Sequence, residues 1–317
     1  MQNLRDKIIL PFSFCRFDED KPKLFLIDLN RKTKWLTFAR IPYEYELKSF
    51  LEENLYHTTE GLLIDGCNEG VAFELLNNGY EILKTGQEAI LNLQYDHFKK
   101  KSLKELIRRG NRGKQFEEIP FSSEMKYRMQ KFKYECTHGN EPQLKYLFSD
   151  DFESFNRLFV IKDDMSLRGK DVWYGAFMLS HKEKDYAQTE LILRRKHAPV
   201  GVMEALIYSI FNILKKEGYE YWSLGGVPFT VYEDTLFSKE GVINFIGRRL
   251  RFAYNYKGLF FFKNKFSPIW IDYYFCVRPR LTLFMSIKIL IVTNLHKLII
   301  KKIPNLLFFG IVKVKAQ

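Results

Sequence analysis

The sequence is short of the residues that build staples and metal sites. Its four cysteines, Cys15, Cys67, Cys136 and Cys276, are scattered singly through 317 residues. No CxxC pair exists, which speaks against a zinc ribbon or a thioredoxin-like redox centre. The six histidines have no metal-ligand spacing, and HExxH is absent. There is no GxGxxG and no GKS or GKT loop, so neither a dinucleotide fingerprint nor a P-loop is expected. No serine sits in a GxSxG elbow, which leaves a hydrolase triad unsupported. The opening stretch, MQNLRDKIILPFSFC, has only a short apolar run and no small-residue cleavage pattern, so no signal peptide is expected. Acid is missing from the other end. No Asp or Glu follows Asp272, while Arg278, Arg280, Lys288, Lys297, Lys301, Lys302, Lys313 and Lys315 do.

What remains is globular. Hydrophobic residues make up 46% and charged residues 28%, which excludes wholesale disorder. The length allows one large or two medium domains with a core that needs no covalent staple. The net charge of +12 favours polyanionic partners: nucleic acid, anionic lipid or phosphorylated substrates. Aromatic residues are dense, with 29 Phe and 18 Tyr.

Periodicity gives an alternating α/β order. Strands are expected at 22–29, 33–38 and 61–65, helices at 45–55 and 69–78, and strand character at 80–84 and 88–93. Residues 99–114, KKKSLKELIRRGNRGK, carry eight basic residues and one acid. Ser102 and Glu105 have capping-box spacing. Leu103, Leu106 and Ile107 form one stripe, leaving Lys104, Arg108 and Arg109 together on the other side. This is the expected seam between an N-terminal module, 1–114, and a second module, 115–280. The second module reads as strand 115–119, helix 123–137, strands 158–162, 171–180 and 187–193, helix 201–218 and strand 219–224.

Four places hold candidate chemistry. In TELILRRKHAPVGVMEAL, Gly201 at a loop-to-helix turn, with Arg194, Arg195 and Lys196 beside it, suits an anion at a helix N-terminus; an ordinary tight turn reads the same. Glu190, near the end of a strand, could orient or deprotonate an amine or hydroxyl, or simply form an edge salt bridge. SLGGVPF places Gly225 and Gly226 at a strand end, where α/β folds collect ligands. In AYNYKGLFFFKNKFSPIW, Lys257, Lys263 and Lys265 punctuate an aromatic run, a pattern suited to phosphate contact with stacking, or to a solvated face over an aromatic core.

Three segments, in order, resemble the soluble C-terminal domain of the phosphatidylglycerol lysyltransferases. They are NNGYEILKTGQEAILNLQYDHFKKKSLKELIRRGNRGKQFEEI, ELILRRKHAPVGVMEALIYSIFNILKKEGYEYWSLGGVPF and YNYKGLFFFKNKFSPIW. The resemblance implies a mixed α/β fold of two tandem GNAT-type acyltransferase modules. It implies transfer of an amino acid from aminoacyl-tRNA to an anionic phospholipid, without a cofactor, by an enzyme peripheral to the inner face of the cell membrane. On that view Glu190 replaces the family's strand aspartate, and Lys263 joins it as a catalytic group. Arg194, Arg195, Gly201, Glu204, Gly225, Lys257 and Lys265 bind substrate. Lys104, Arg108 and Arg109 meet tRNA phosphates. Phe260 and Phe261 stand where the family has a basic pair. Two other readings stay open: an acyl-CoA-dependent N-acyltransferase, and a non-catalytic protein that binds nucleic acid or membrane. Residues 281–317, apolar and basic, read as an interfacial anchor, a terminal helix packed on its own domain, or a membrane span.

Overall fold

The computed structural model describes residues 9–56, 60–164, 171–230 and 255–303. Its strands are β1 (Cys15–Phe17), β2 (Lys23–Asp28), β3 (Thr33–Pro42), β4 (Gly61–Cys67), β5 (Glu81–Asn92), β6 (Lys114–Ile119), β7 (Arg157–Asp163), β8 (Trp173–Glu183), β9 (Tyr186–Arg194), β10 (Tyr221–Pro228) and β11 (Ile269–Arg278). Its helices are α1 (Leu47–Leu51), α2 (Glu69–Asn77), α3 (Lys101–Asn111), α4 (Ser123–Glu135), α5 (Val202–Lys216), α6 (Tyr256–Asn264), α7 (Leu283–Val292) and α8 (Leu295–Ile303).

All the strands belong to one mixed sheet, in the order β1-β3-β4-β11-β5-β10-β9-β8-β7-β6, with β2 hydrogen-bonded to β3. The sheet runs straight past residue 114: β10 pairs with β5, and β11 lies between β4 and β5. The path also returns on itself, because β1 pairs in parallel with β3 and bridges antiparallel to β8 at Arg16 and His181. Arg16 locks that closure. It is buried, and it donates to the Pro42 and Tyr45 carbonyls and to the Glu183 carboxylate at 3.0 Å.

Alternation along the strands divides the core. Leu62 and Ile64 of β4 pack under α1 and α2, while Leu63 between them packs on the opposite face with Trp35, Leu83 and Met285 of α7. In the second half α5 lies over Phe177, Ala187, Trp222 and Leu224, and α4 covers the other face through Met129 and Phe132. Gly79 and Gly218, expected at helix ends, take left-handed φ values of 79° and 89° after α2 and α5.

Two expectations change, and one strand was not foreseen. The strand character at 80–84 and 88–93 is one long strand, β5. Ser102 does not cap α3, whose N-cap is Lys100 with no side-chain cap bond; Glu105 instead binds Arg108 and Arg109, each at 2.8 Å. Residues 269–278 form a strand in the middle of the sheet. Asp272 breaks its apolar pattern, and the fold accommodates that carboxylate with Lys84 at 2.7 Å and Gln87 at 2.9 Å.

Candidate functional site

β9 pairs in parallel with β10 only over Tyr186–Gln188 and Tyr221–Ser223. Both strands then carry an irregularity. On β9 the register against β8 jumps from Leu179↔Thr189 to Met178↔Leu191, so Glu190 is the extra residue of a bulge. On β10 the register against β5 slips between Ser223 and Gly226, next to Gly225 with φ at 86°. Bulges re-aim side chains and gather beside functional sites. Thr189 faces the α5 side, where it accepts from the Trp222 indole at 3.0 Å. Glu190 turns to the other side and lines a cavity of about 370 Å³ with Ser13, Cys15, Phe38, Arg40 and Tyr146.

Glu190 has polar but uncharged bonding partners. Ser180 Oγ donates to it, Gln188 Nε2 donates at 2.9 Å, and the Ser149 backbone amide contributes. Burial pushes its carboxyl above the usual glutamate range, and these bonds oppose the shift only in part. Each of the other acids on the wall is tied to a cation: Glu153 to Arg40 at 2.5 Å, Asp150 to Lys133 at 2.9 Å and Asp151 to Lys126 at 2.7 Å. Glu190 is therefore the wall carboxylate suited to take a proton or hold an ammonium. Cys15 offers no nucleophile, because burial drives its thiol far upward and keeps it protonated. Phe38 and Tyr146 both line the cavity at positive φ, 51° and 64°, which bulky residues avoid.

Lys263 comes from α6 and is buried, 3% exposed. Its Nζ donates to the Gly225 and Gly226 carbonyls at 2.8 and 3.0 Å. A Cβ on Gly225 would stand 3.4 Å from that amine and 3.7 Å from the Thr189 carbonyl. Gly225 and Lys263 thus meet at the point where β9 and β10 part, while Glu190 faces the cavity on the other side of the sheet. Burial pushes the Lys263 amine down to about 7, against the pull of Glu88. Glu88 itself accepts from Lys182 at 2.7 Å and from Ser223 Oγ at 2.5 Å. The amine meets backbone carbonyls instead of solvent and pins the β10 bulge.

The remaining candidates lie apart. Lys265 is half exposed and pairs with buried Glu204 at 2.7 Å, while Lys257 is exposed. Arg194 donates to the Ala198 carbonyl at 3.0 Å. Arg195 donates to the Trp173 carbonyl at 2.6 Å and pairs with Glu135 of α4. Gly201 is pressed against α3: a Cβ there would stand 2.0 Å from the Leu106 carbonyl oxygen. Packing thus accounts for this glycine. Lys104, Arg108 and Arg109 lie exposed on the outer side of α3. Among the described residues no group of His, Cys, Asp or Glu is arranged to hold a metal ion.

Sequence reasoning missed Arg40, Phe38, Tyr146, Ser180 and Gln188. One signal was available: Gln188 and Glu190 are polar residues two apart in a strand, the spacing that puts both on one face.

Asp65 on β4 is a buried carboxylate. Its Oδ1 has no partner, and burial pushes its pKa up to about 7 against the Gly66 amide. The folded state therefore keeps a proton that the unfolded chain loses near the ordinary aspartate value of 3.8. Stability falls as pH rises between those two values, because the unfolded state there binds fewer protons. Urea unfolding across that range should show a falling midpoint, with a clearly shallower slope in Asp65→Asn.

The comparisons with known proteins agree with this architecture. The family model described as "Phosphatidylglycerol lysyltransferase, C-terminal" matches residues 47–277. A phosphatidylglycerol lysyltransferase of Bacillus subtilis (strain 168) is 26% identical over 227 residues, covering 68% of this chain and 26% of that protein. The chain thus spans about a quarter of that relative's length. The solved structure of L-PGS from Bacillus licheniformis superposes with a TM-score of 0.64 at 19% identity, over 87% of this chain and 86% of that one. A C-terminal domain from Agrobacterium fabrum, assigned to lysylphosphatidylglycerol synthetases, gives 0.62 at 20% identity, over 84% and 83%. At these identities the two structures speak for the fold alone, and the mixed α/β expectation holds. The family is fixed by the sequence match, which covers most of the chain: this protein belongs to the phosphatidylglycerol lysyltransferase C-terminal family.

Proposed function

We propose that this protein moves an aminoacyl group from aminoacyl-tRNA to a hydroxyl or amine of an anionic membrane lipid, working as a peripheral enzyme at the inner face of the cell membrane. The observation that carries the reading is Glu190. It is a half-buried carboxylate without a cationic bonding partner, re-aimed by a bulge into a cavity, in a chain matched to this family across residues 47–277.

The chemistry is acyl transfer from the tRNA ester, giving a new ester with a hydroxyl acceptor or an amide with an amine. The acceptor oxygen or nitrogen attacks the aminoacyl carbonyl, its proton leaves, and the tRNA ribose oxygen departs and is protonated. The ester is already activated, so the protein's task is to align the acceptor and hold charge where it develops. Glu190 takes the acceptor's proton or fixes the amino group of the donated residue. Lys263 fixes the β10 bulge. The exposed basic side of α3, with Lys104, Arg108 and Arg109, meets tRNA phosphates, and such contacts position without reading sequence. Arg194, Arg195, Lys257 and Lys265 supply further positive charge for the phosphates of either substrate.

Expression in a bacterial host should yield an amino-acid-bearing lipid, absent from the empty host, in total-lipid mass spectra. With purified protein, label from one or more charged tRNAs should enter extractable lipid. Failure with all the charged tRNAs of a complete set, in the presence of anionic lipid, overturns the reading.

A further inference from the structure

Helix α7, LFMSIKILIV, is apolar on every side, but the fold covers only one of them. Met285, Ile289 and Val292 pack on the sheet with Trp35, Leu63 and Leu83. On the outer side Leu283 is 75% exposed and Phe284 62%, with Ile287 and Ile291 continuing the stripe. Ile300 and Ile303 of α8 add to the exposed apolar surface. A helix that is apolar all round belongs in apolar surroundings, and an exposed apolar patch on a folded protein marks a surface of interaction. No single helix among the described residues is long and apolar enough to cross a membrane, and α7 and α8 meet at a bend of 78°.

We infer that this outer face of α7 and α8 docks on an anionic bilayer, with Phe284, Ile287 and Ile291 in the interfacial layer. Charge selects the occupant. No acidic residue follows Asp272 in the sequence. Lys288 lies beside Phe284, with Asp28 as the acid nearest in the same hollow, and Lys297 is exposed on α8. A second copy of this chain would bring like charges together. A bilayer with anionic headgroups offers apolar depth and negative charge at once, the combination that holds basic amphipathic helices.

The same two helices carry the rim of the cavity. The Thr293 carbonyl accepts from the Lys145 amide at 3.1 Å, and Asn294 Nδ2 donates to the Gln143 carbonyl at 3.0 Å. Lys302 pairs with Glu141. Gln143, Lys145 and Tyr146 line the cavity that Glu190 faces. Phe25 lines it as well, from the exposed strand β2. Docking therefore sets the cavity's rim at headgroup level, where a lipid acceptor reaches it without leaving the bilayer. This inference rests on the lipid-acceptor reading above and names the surface that serves it.

The test is co-sedimentation of the full chain with vesicles of phosphatidylcholine alone and of phosphatidylcholine mixed with phosphatidylglycerol. The wild type should bind the anionic vesicles selectively, and less so in high salt. Phe284→Glu combined with Ile287→Glu should weaken that binding about tenfold or more, with circular dichroism and melting unchanged. Phe73→Glu, at an exposed apolar residue of α2 on the other face of the sheet, should leave it intact. Equal binding by the α7 double variant, or equal loss with Phe73→Glu, overturns the inference. So does a wild-type dimer that the double variant separates and that ignores vesicles. Lipid transfer in detergent without vesicle binding sinks the docking surface and leaves the proposed function standing. Vesicle binding that needs α7 but brings no transfer does the reverse.

Discussion

Replacing Glu190 by glutamine lowers aminoacyl transfer by about two to four orders of magnitude, the range that a positioned proton acceptor supplies. Glutamine keeps the size and the polar reach of the side chain but cannot take a proton. Ser180 and Gln188 stay in place as neighbours, so the melting temperature should hold or rise, since a neutral group costs less to bury. The pH profile separates this role from a structural one. Burial raises the Glu190 carboxyl, so the rate of the wild type should climb with pH along a limb displaced above the ordinary glutamate range. That limb should vanish in Glu190→Gln. A variant that transfers within a few-fold of wild type, with the limb intact, would exclude Glu190 as the acting carboxylate.

Glu190 was legible because an acid stands out in a strand; its surroundings were not. The cavity takes Arg40 and Phe38 from β3 and Tyr146 from a segment that folds back more than a hundred residues later. No periodicity couples such distant positions. The bulge on β9 was equally silent, since it falls on Glu190 itself, with no glycine or proline to mark it. Long elements with one covered face were readable: α5, β7, β8 and β9 lie within a few residues of their expected bounds. β1 was not, because three residues carry no period, yet it closes the sheet between β3 and β8. β5 was read as two pieces because Thr85 and Gly86 interrupt the apolar pattern that the sheet carries straight through. The basic stripe on α3 was legible as charge. What the sequence could not show is that α3 crosses α5 so closely that only glycines fit at the contact.

That crossing supports the second large effect. Gly201→Ala should destabilise the protein by roughly 2–5 kcal/mol in urea unfolding, combining a left-handed residue that gains a Cβ with an overpacked contact. Gly201 has φ at 90°, and its new Cβ would stand 2.0 Å from the Leu106 carbonyl oxygen and 3.1 Å from the Gly110 amide nitrogen. These are backbone atoms of a helix and cannot swing aside as a side chain would. Gly110→Ala is the matched control. Its Cβ would stand 2.1 Å from the Gly201 carbonyl oxygen, but φ at Gly110 is not positive, and alanine favours the helix by about 1 kcal/mol. Gly110→Ala should therefore cost less than Gly201→Ala, by the left-handed strain at Gly201 and the helix propensity gained at Gly110. The pair also decides what Gly201 is for. If its amide held a substrate anion, Gly201→Ala would lose transfer at unchanged stability, and Gly110→Ala would leave both alone. If the two helices need the contact, both variants lose stability together, and activity follows the folded fraction. The 2.0 and 2.1 Å approaches favour the second outcome, in which Gly201 fixes the basic helix α3 against α5.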